Sequence, residues 1–113
     1  GAFLRDKSQT LLPKLAHSKN IWERRIAMIA TFQFIKQGKF QETFKIAKIL
    51  MRDPHDLVQK AVGWMLREVG KRFLSAEESF LKTYAKEMSR TALRYAVERF
   101  SARKRFVYLK RSR

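Results

Sequence analysis

The stretch from Gln59 to Arg72, QKAVGWMLREVGKR, decides the fold, because it has the length and periodicity of an amphipathic helix. Apolar residues recur at the spacing of one buried face, and they are Val58, Ala61, Val62, Met65, Leu66 and Val69. Trp64 falls on the opposite face. With residues placed about 100° apart around the helix, four charged side chains lie within roughly 60° of it: Lys60, Arg67, Glu68 and Lys71. The pattern predicts a tryptophan that sits among cations and away from the core.

A tryptophan on a basic face has two interpretations. In the first, the ring lies over a neighbouring helix and the lysines form an ordinary solvated surface. In the second, the ring is a platform that stacks on a polyanionic partner or stabilises a cation, while the basic side chains hold phosphates. The rest of the sequence favours the second.

The composition is that of a folded and strongly basic chain. Its 113 residues predict one domain, and 45% hydrophobic with 32% charged residues is typical of a globular protein. Lysine and arginine total 26 against 10 acidic residues, so the net charge is +16 and the pI about 10.9. Such an excess is not needed for folding and indicates an anionic partner, most commonly nucleic acid.

The chain contains no cysteine, which excludes a disulfide framework and a thiolate metal site. No apolar run approaches the roughly 20 residues of a membrane span, and no signal-peptide pattern opens the chain. We therefore expect a cytoplasmic protein. His17 and His55 are isolated, and we expect surface positions for both.

Strand signals are nearly absent, and the periodicity predicts an all-α chain of about six helices. The first helix would lie within residues 1–17, and Asn20 would cap a second that runs to Gly38. Residues 40–52 predict a third helix, and Asp53-Pro54 would start the long fourth. Capping signals at Ser75–Glu78 and at Ser89 would start the last two. Residues 101–113 read as a basic tail whose end is mobile.

Arg25 is placed unusually for a charged residue. On the helical wheel it lies in an apolar sector, whereas Arg24 points about 100° away, toward the more open side. A desolvated guanidinium needs a partner. One interpretation is an ion pair between helices, with Glu68 as the candidate; the other is an arginine that faces a phosphate or carboxylate in a cleft.

A weak repeat runs through the chain. Arg25-Ile-Ala, Lys60-Ala-Val and Arg90-Thr-Ala each place a basic residue before small and apolar ones, 35 and then 30 residues apart. That period fits the paired helices of HEAT or armadillo repeats, whose second helices line a concave surface. A basic residue on each of those helices would make the concave surface suitable for duplex DNA.

Three segments resemble motifs of the DNA alkylation repair family, the AlkD-like DNA glycosylases. They are NIWERRIA from Asn20, QKAVGWMLREVGK from Gln59 and RTALRYAVERF from Arg90. The resemblance covers essentially the whole chain and implies a right-handed α-solenoid of HEAT-like repeats. It also implies hydrolysis of the N-glycosidic bond of cationic N3- or N7-alkylated purines. Arg25 and Trp64 correspond to family residues that line the active-site cleft.

The chemistry implied by the resemblance suits these residues. An alkylated purine already carries positive charge and is an activated leaving group, so no metal or organic cofactor is expected. A tryptophan face stabilises a cation and an arginine can hold the flanking phosphate. The residues expected to hold the duplex without reading its sequence are Arg24, Lys60, Arg67, Lys71, Arg90 and Arg94.

One element of the family pattern is missing from the sequence. The family's catalytic aspartate belongs to a helix upstream of the region that begins here, and neither Asp6, Asp53 nor Asp56 has the matching context. We therefore expect residues 1–113 to be the C-terminal half of a longer glycosylase or a shortened relative, monomeric, and able to bind DNA without turnover. The alternatives are a non-catalytic HEAT-like module for DNA, RNA or an acidic protein, and a membrane-surface protein.

Overall fold

A computed structural model of the protein describes residues 10–113. Within this range every regular element is helical. Helix α1 covers residues 10–16 of the range. The other helices are α2 (Ile21–Ile29), α3 (Phe32–Ile35), α4 (Gln41–Ile49), α5 (Asp56–Arg72), α6 (Leu74–Tyr84), a 3₁₀ turn (Ala85–Glu87), α7 (Arg90–Ala96) and α8 (Ala102–Leu109). Expectations that concern residues 1–9, including Asp6, lie outside the described residues.

Helix α5 is the centre of the molecule. It packs against α2 on one side and α7 on the other, and it also contacts α3, α4 and α6. The apolar stripe predicted from the sequence is confirmed, because all six of its members are at most 1% exposed. Ile46, Leu81 and Leu93 from the surrounding helices complete this core at no exposure. The burial of one face of α5 against five other helices therefore organises the fold.

Helices α5 and α7 run parallel and in register. Ser89 donates a hydrogen bond to Gln59 at the start of both helices, and Gly63 meets Ala92 in the middle. Near their ends Arg67 forms an ion pair with Glu98, just beyond α7. Parallel neighbours are what the second helices of stacked helix pairs would produce. The all-α class is confirmed, while the right-handed solenoid stays a prediction.

Three of the helix-end signals work as the sequence predicted. The Asn20 side chain accepts from the backbone N–H of Trp22 at 2.8 Å, and the Ser89 hydroxyl accepts from Ala92 at 3.1 Å. Gly38 has φ of 75°, a left-handed conformation that glycine adopts without strain after a helix.

The helix predicted between Asn20 and Gly38 is interrupted. The Thr31 backbone N–H and hydroxyl both donate to the Met28 carbonyl, at 3.2 and 2.7 Å. Because this bonding spans three residues instead of four, the turn tightens and α2 ends at Ile29. The predicted single helix is therefore two.

The predicted starts of α5 and α6 are also wrong. Asp53 accepts from the His55 N–H at 2.9 Å, which forms a turn, so α5 begins at Asp56 with His55 as its cap. Helix α6 begins at Leu74 with no side-chain cap. Glu78 instead accepts from Lys104 and Tyr108 of α8, each at 3.0 Å, which takes its carboxylate away from a capping position.

Although residues 101–107 are exposed, the basic C-terminal segment contacts the rest of the chain at several points. Helix α8 buries Tyr108 to 4% exposure, with its ring 5.8 Å from that of Phe100. The last residue, Arg113, donates its backbone N–H to Met88 at 3.0 Å and its guanidinium to Met51 at 3.3 Å. Residues Ala102–Leu109 of the predicted basic tail form a helix in the structure, while the mobility of its end stays a prediction.

No helix among residues 10–113 is long and apolar enough to cross a membrane.

Candidate functional site

Trp64 lies on the outer side of α5 but packs against the edge of the core. Its side chain is partly buried, whereas the chain's other tryptophan, Trp22, is 58% exposed. The expectation that Trp64 stands apart from the core is therefore wrong. A large ring on a helix surface is held by the neighbouring apolar side chains, and only part of it stays accessible. That accessible part is the candidate platform.

The cations of α5 surround Trp64 on the helix surface, and each one has an acidic partner. Lys60 pairs with Asp56 at 3.1 Å, Lys71 pairs with Glu68 at 3.0 Å, and Arg67 pairs with Glu98. Ion pairs near the surface contribute about 0–1 kcal/mol, so these cations can exchange a carboxylate for a phosphate at little cost.

The arginine side chains of α7 have no acidic partner among the described residues. Arg90 and Arg94 are both exposed, and neither forms a hydrogen bond or ion pair within the described part of the chain. Helix α7 packs beside α5, so these two guanidinium groups lie on the helix next to the one that carries Trp64. We call the outer surfaces of α5 and α7 that carry Lys60, Trp64, Arg67, Lys71, Arg90 and Arg94 the basic face.

Arg24 does not lie in the open position that the wheel predicted. Its Nε donates to the Asp53 carboxylate at 2.6 Å and its Nη1 donates to the Ser18 carbonyl at 3.1 Å, and its side chain is only 17% exposed. The loop before α5 lies against α2, and a helical wheel cannot predict a contact between such distant segments. Arg24 ties this loop to α2, so we leave it out of the basic face.

Arg25 lies close to the start of α5. Its Nη1 donates to the Leu57 backbone carbonyl, and the suggested ion pair with Glu68 is not formed. Glu68 instead accepts from Lys71 and Arg72. Leu57 and Trp64 are seven residues apart on one side of α5, or about 10 Å along its axis. The structure therefore places Arg25 two helical turns from Trp64, with Lys60 between them.

The carboxylates near the basic face are occupied. The hydrogen bond from Lys60 lowers the pKa of Asp56. Burial alone would raise the pKa of Glu68, but the hydrogen bonds from Lys71 and Arg72 outweigh it and the pKa is lowered. Asp53 is bound to Arg24. Asp56 and Glu68 are thus ionised partners of cations and Asp53 is held by Arg24, so none of the three is placed as a free general base.

Gln59 is a positioning residue that sequence reasoning missed. It is 4% exposed, and its Nε2 donates to the Leu50 and Asp53 carbonyls at 3.0 and 2.8 Å. Its Oε1 accepts from Ser89, the cap of α7. One side chain thus joins the loop before α5 to the start of α7 and fixes the register of the basic face.

Gly63 sets the distance between the two helices of the basic face. A Cβ at this position would lie 2.3 Å from the Ala92 carbonyl oxygen and 2.5 Å from the Tyr95 Cβ. Only glycine allows the backbones of α5 and α7 to approach this closely. The glycine in the motif was visible in the sequence, but its contact was not.

A cleft of ≈ 630 Å³ continues from the end of the basic face. It lies between α5, α6 and the segment leading into α8, and its lining includes Arg67, Lys71, Arg99, Lys104 and the buried Glu77. Burial raises the pKa of Glu77 to about 9; the negative charge of Glu78 adds to this, and Arg67 partly opposes it. Glu77 is therefore uncharged at neutral pH. No sequence pattern distinguished it from a solvated glutamate.

Comparison with known proteins gives the family of the chain. Residues 1–100 match the family model described as DNA alkylation repair enzyme. A search of curated proteins and a search of solved structures each gave no significant match. The matched range contains α2, α5 and α7 whole, and with them every residue of the basic face.

Proposed function

The chain belongs to the DNA alkylation repair enzyme family, and from this premise we propose that it serves DNA repair by binding duplex DNA on the basic face. We propose further that Trp64 and Arg25 belong to a DNA glycosylase site for cationic N3- or N7-alkylated purines. The family membership supports the repair role. The duplex binding and the base removal are our proposals.

The observation that carries duplex binding is the pair of unpartnered arginines beside the Trp64 helix. Arg90 and Arg94 are exposed and have no acidic partner among the described residues, in a chain with net charge +16. Unpaired surface guanidinium groups gain most from phosphate, because no existing ion pair has to be broken. Lys60, Arg67 and Lys71 would add phosphate contacts by exchanging their carboxylate partners.

The proposed chemistry follows from the positions of Trp64 and Arg25. The accessible part of the Trp64 ring offers a π-face to the positively charged purine and to the cationic sugar that forms as the glycosidic bond breaks. One guanidinium nitrogen of Arg25 donates to the Leu57 carbonyl, and this hydrogen bond fixes the group. Its remaining N–H groups can hold a phosphate next to the damaged nucleotide.

Base removal also needs a group that positions water or stabilises the sugar cation. The carboxylates nearest the basic face are paired with lysine or arginine, as described above. We therefore propose that Asp53, Asp56 and Glu68 do not supply this group. The same observation favours the second candidate function, a DNA-binding module that performs no chemistry.

Charge removal from α7 tests the duplex binding. We would measure the affinity of the Arg90→Ala/Arg94→Ala double variant for a 20-base-pair duplex at several salt concentrations. If both arginines contact phosphates, the slope of log K against log salt should fall by about 1.8, since each contact contributes about 0.9.

The matched control is the Lys39→Ala/Lys86→Ala double variant. It loses the same charge from two exposed positions outside the basic face. Equal loss of slope in the two double variants would show that only net charge matters and would refute the proposed face.

A further inference from the structure

The wall of the cleft at the end of the basic face holds two polar atoms that the protein leaves unsatisfied. Glu77 Oε2 and Arg67 Nε are both buried and have no hydrogen-bond partner among the described residues. Both residues line the cleft. A buried ionised carboxylate without a partner is costly, which favours a neutral Glu77.

Gly70 leaves the space that the Glu77 carboxyl group occupies. A Cβ at Gly70 would lie 1.9 Å from Glu77 Oε1, so the carboxyl group occupies the space where a side chain of α5 would be. Glu77 is 1% exposed and cannot turn outward to water. Its carboxyl group is thus held by close packing beneath the lining of the cleft.

The charges around the cleft select an anion. Its lining carries four basic side chains, Arg67, Lys71, Arg99 and Lys104. Three of them pair with acidic residues at the rim, and Arg99 has no such partner within residues 10–113. Because Glu77 is uncharged at neutral pH, the lining holds no ionised carboxylate to repel an anion or attract a cation.

We propose that this cleft is a phosphate-binding site in which Arg99, which has no acidic partner among the described residues, and Lys104 bind the phosphate oxygens. The buried carboxyl group of Glu77 lies beneath them and, being neutral, does not repel the phosphate. The phosphate is either one in a nucleic-acid strand that continues beyond the basic face, or a free phosphate or phosphomonoester. Only the first source depends on the proposed function.

The proposal makes the site sensitive to alkaline pH. Ionisation of Glu77 would place a negative charge next to the phosphate. The other charged or titratable groups around Glu77 are Glu78, Arg67 and Tyr108, with Lys71, Arg99 and Lys104 in the same cleft lining. Glu78 is already ionised, since its pKa is lowered chiefly by the hydrogen bond from Lys104, and the pKa of Tyr108 is raised to about 12. Between pH 8 and 9.5 Glu77 is therefore the group whose charge changes most.

Equilibrium dialysis of the full chain against labelled inorganic phosphate, at constant ionic strength, tests the site. We expect saturable binding at pH 8 that weakens about fourfold at pH 9.5, as a group with a pKa of about 9 loses its proton. Inorganic phosphate is already doubly charged across this range. Amide shifts of Gly70, Phe100 and Ser101 in NMR spectra at pH 7 would locate the bound phosphate.

Two variants separate the carboxyl group from the fold. Glu77→Gln keeps the size of the side chain but cannot ionise, so it should bind phosphate at pH 8 and lose the weakening at pH 9.5. Arg99→Ala should bind more weakly, while Lys86→Ala should match the wild type. No saturable binding by the wild type, or the same pH dependence in Glu77→Gln, would overturn the proposal.

A duplex competitor distinguishes the two phosphate sources. Displacement of labelled phosphate by the duplex would identify the site as part of the nucleic-acid path. Binding of both at once would identify a site for free phosphate or a phosphomonoester. Failure of the basic face to bind duplex would leave the dialysis result standing, so the two proposals can fail separately.

Discussion

Replacing Gly63 with alanine should separate the two helices of the basic face. The new Cβ would lie 2.3 Å from a backbone oxygen and 2.5 Å from another Cβ, and neither atom can rotate away. Helix α7 must then move by about 1 Å, and such overpacking costs up to about 3 kcal/mol. The higher helix propensity of alanine offsets about 1 kcal/mol of this cost. We expect a net loss of about 2 kcal/mol.

Urea unfolding followed by circular dichroism would measure this loss, and duplex titration of the folded variant would show whether affinity falls with it. Gly38→Ala is the matched control. No atom lies within 4 Å of its new Cβ, so its cost of about 1 kcal/mol would come only from the positive φ, and DNA affinity should not change. A Gly63→Ala variant as stable as the wild type, with unchanged affinity, would refute the argument that this contact spaces the helices.

Three further predictions concern single side chains. Gln59→Leu should lower the free energy of unfolding by about 3 kcal/mol because it leaves buried carbonyls without donors, whereas Leu at the exposed Gln33 should change it by less than about 0.5 kcal/mol; equal effects in urea titrations would contradict the role of Gln59. The pKa of Glu77 is about 9 in the folded state and about 4.5 in the unfolded state, so the free energy of unfolding should fall as the pH rises between these values. The expected fall is about 3 kcal/mol between pH 4.5 and 7, and Glu77→Gln should remove it. Trp64→Ala and Arg25→Ala, at the matching positions of an intact homologous enzyme, should slow base release far more than they weaken binding of undamaged duplex; equal losses would remove both residues from the proposed site.

The sequence predicted well what depends on periodicity. The buried stripe of α5 is complete because its side chains follow the helical repeat and need only a core to face. Asn20, Gly38 and Ser89 mark helix ends through local bonds that involve a few neighbouring residues.

What the sequence could not predict depends on contacts between distant segments. Arg24 finds Asp53, 29 residues away, and so leaves the surface. Glu78 accepts a hydrogen bond from Tyr108 of α8 instead of capping α6, and the buried Tyr108 packs the basic segment against the other helices. Burial of Glu77 is likewise a product of packing against Gly70. A helical wheel places a residue on a face, but only the fold decides what covers that face.

The most direct test of the account is duplex binding and base release by this chain in the same samples. Methylated duplex DNA would be titrated with protein across a range of salt concentrations, while released 7-methylguanine is measured against the spontaneous rate. We predict binding that weakens steeply with salt, and no release above the spontaneous rate, because the described carboxylates near the basic face are paired with cations. Absence of duplex binding at low salt would contradict the central claim, and release by this chain would show that those ion pairs do not prevent the chemistry.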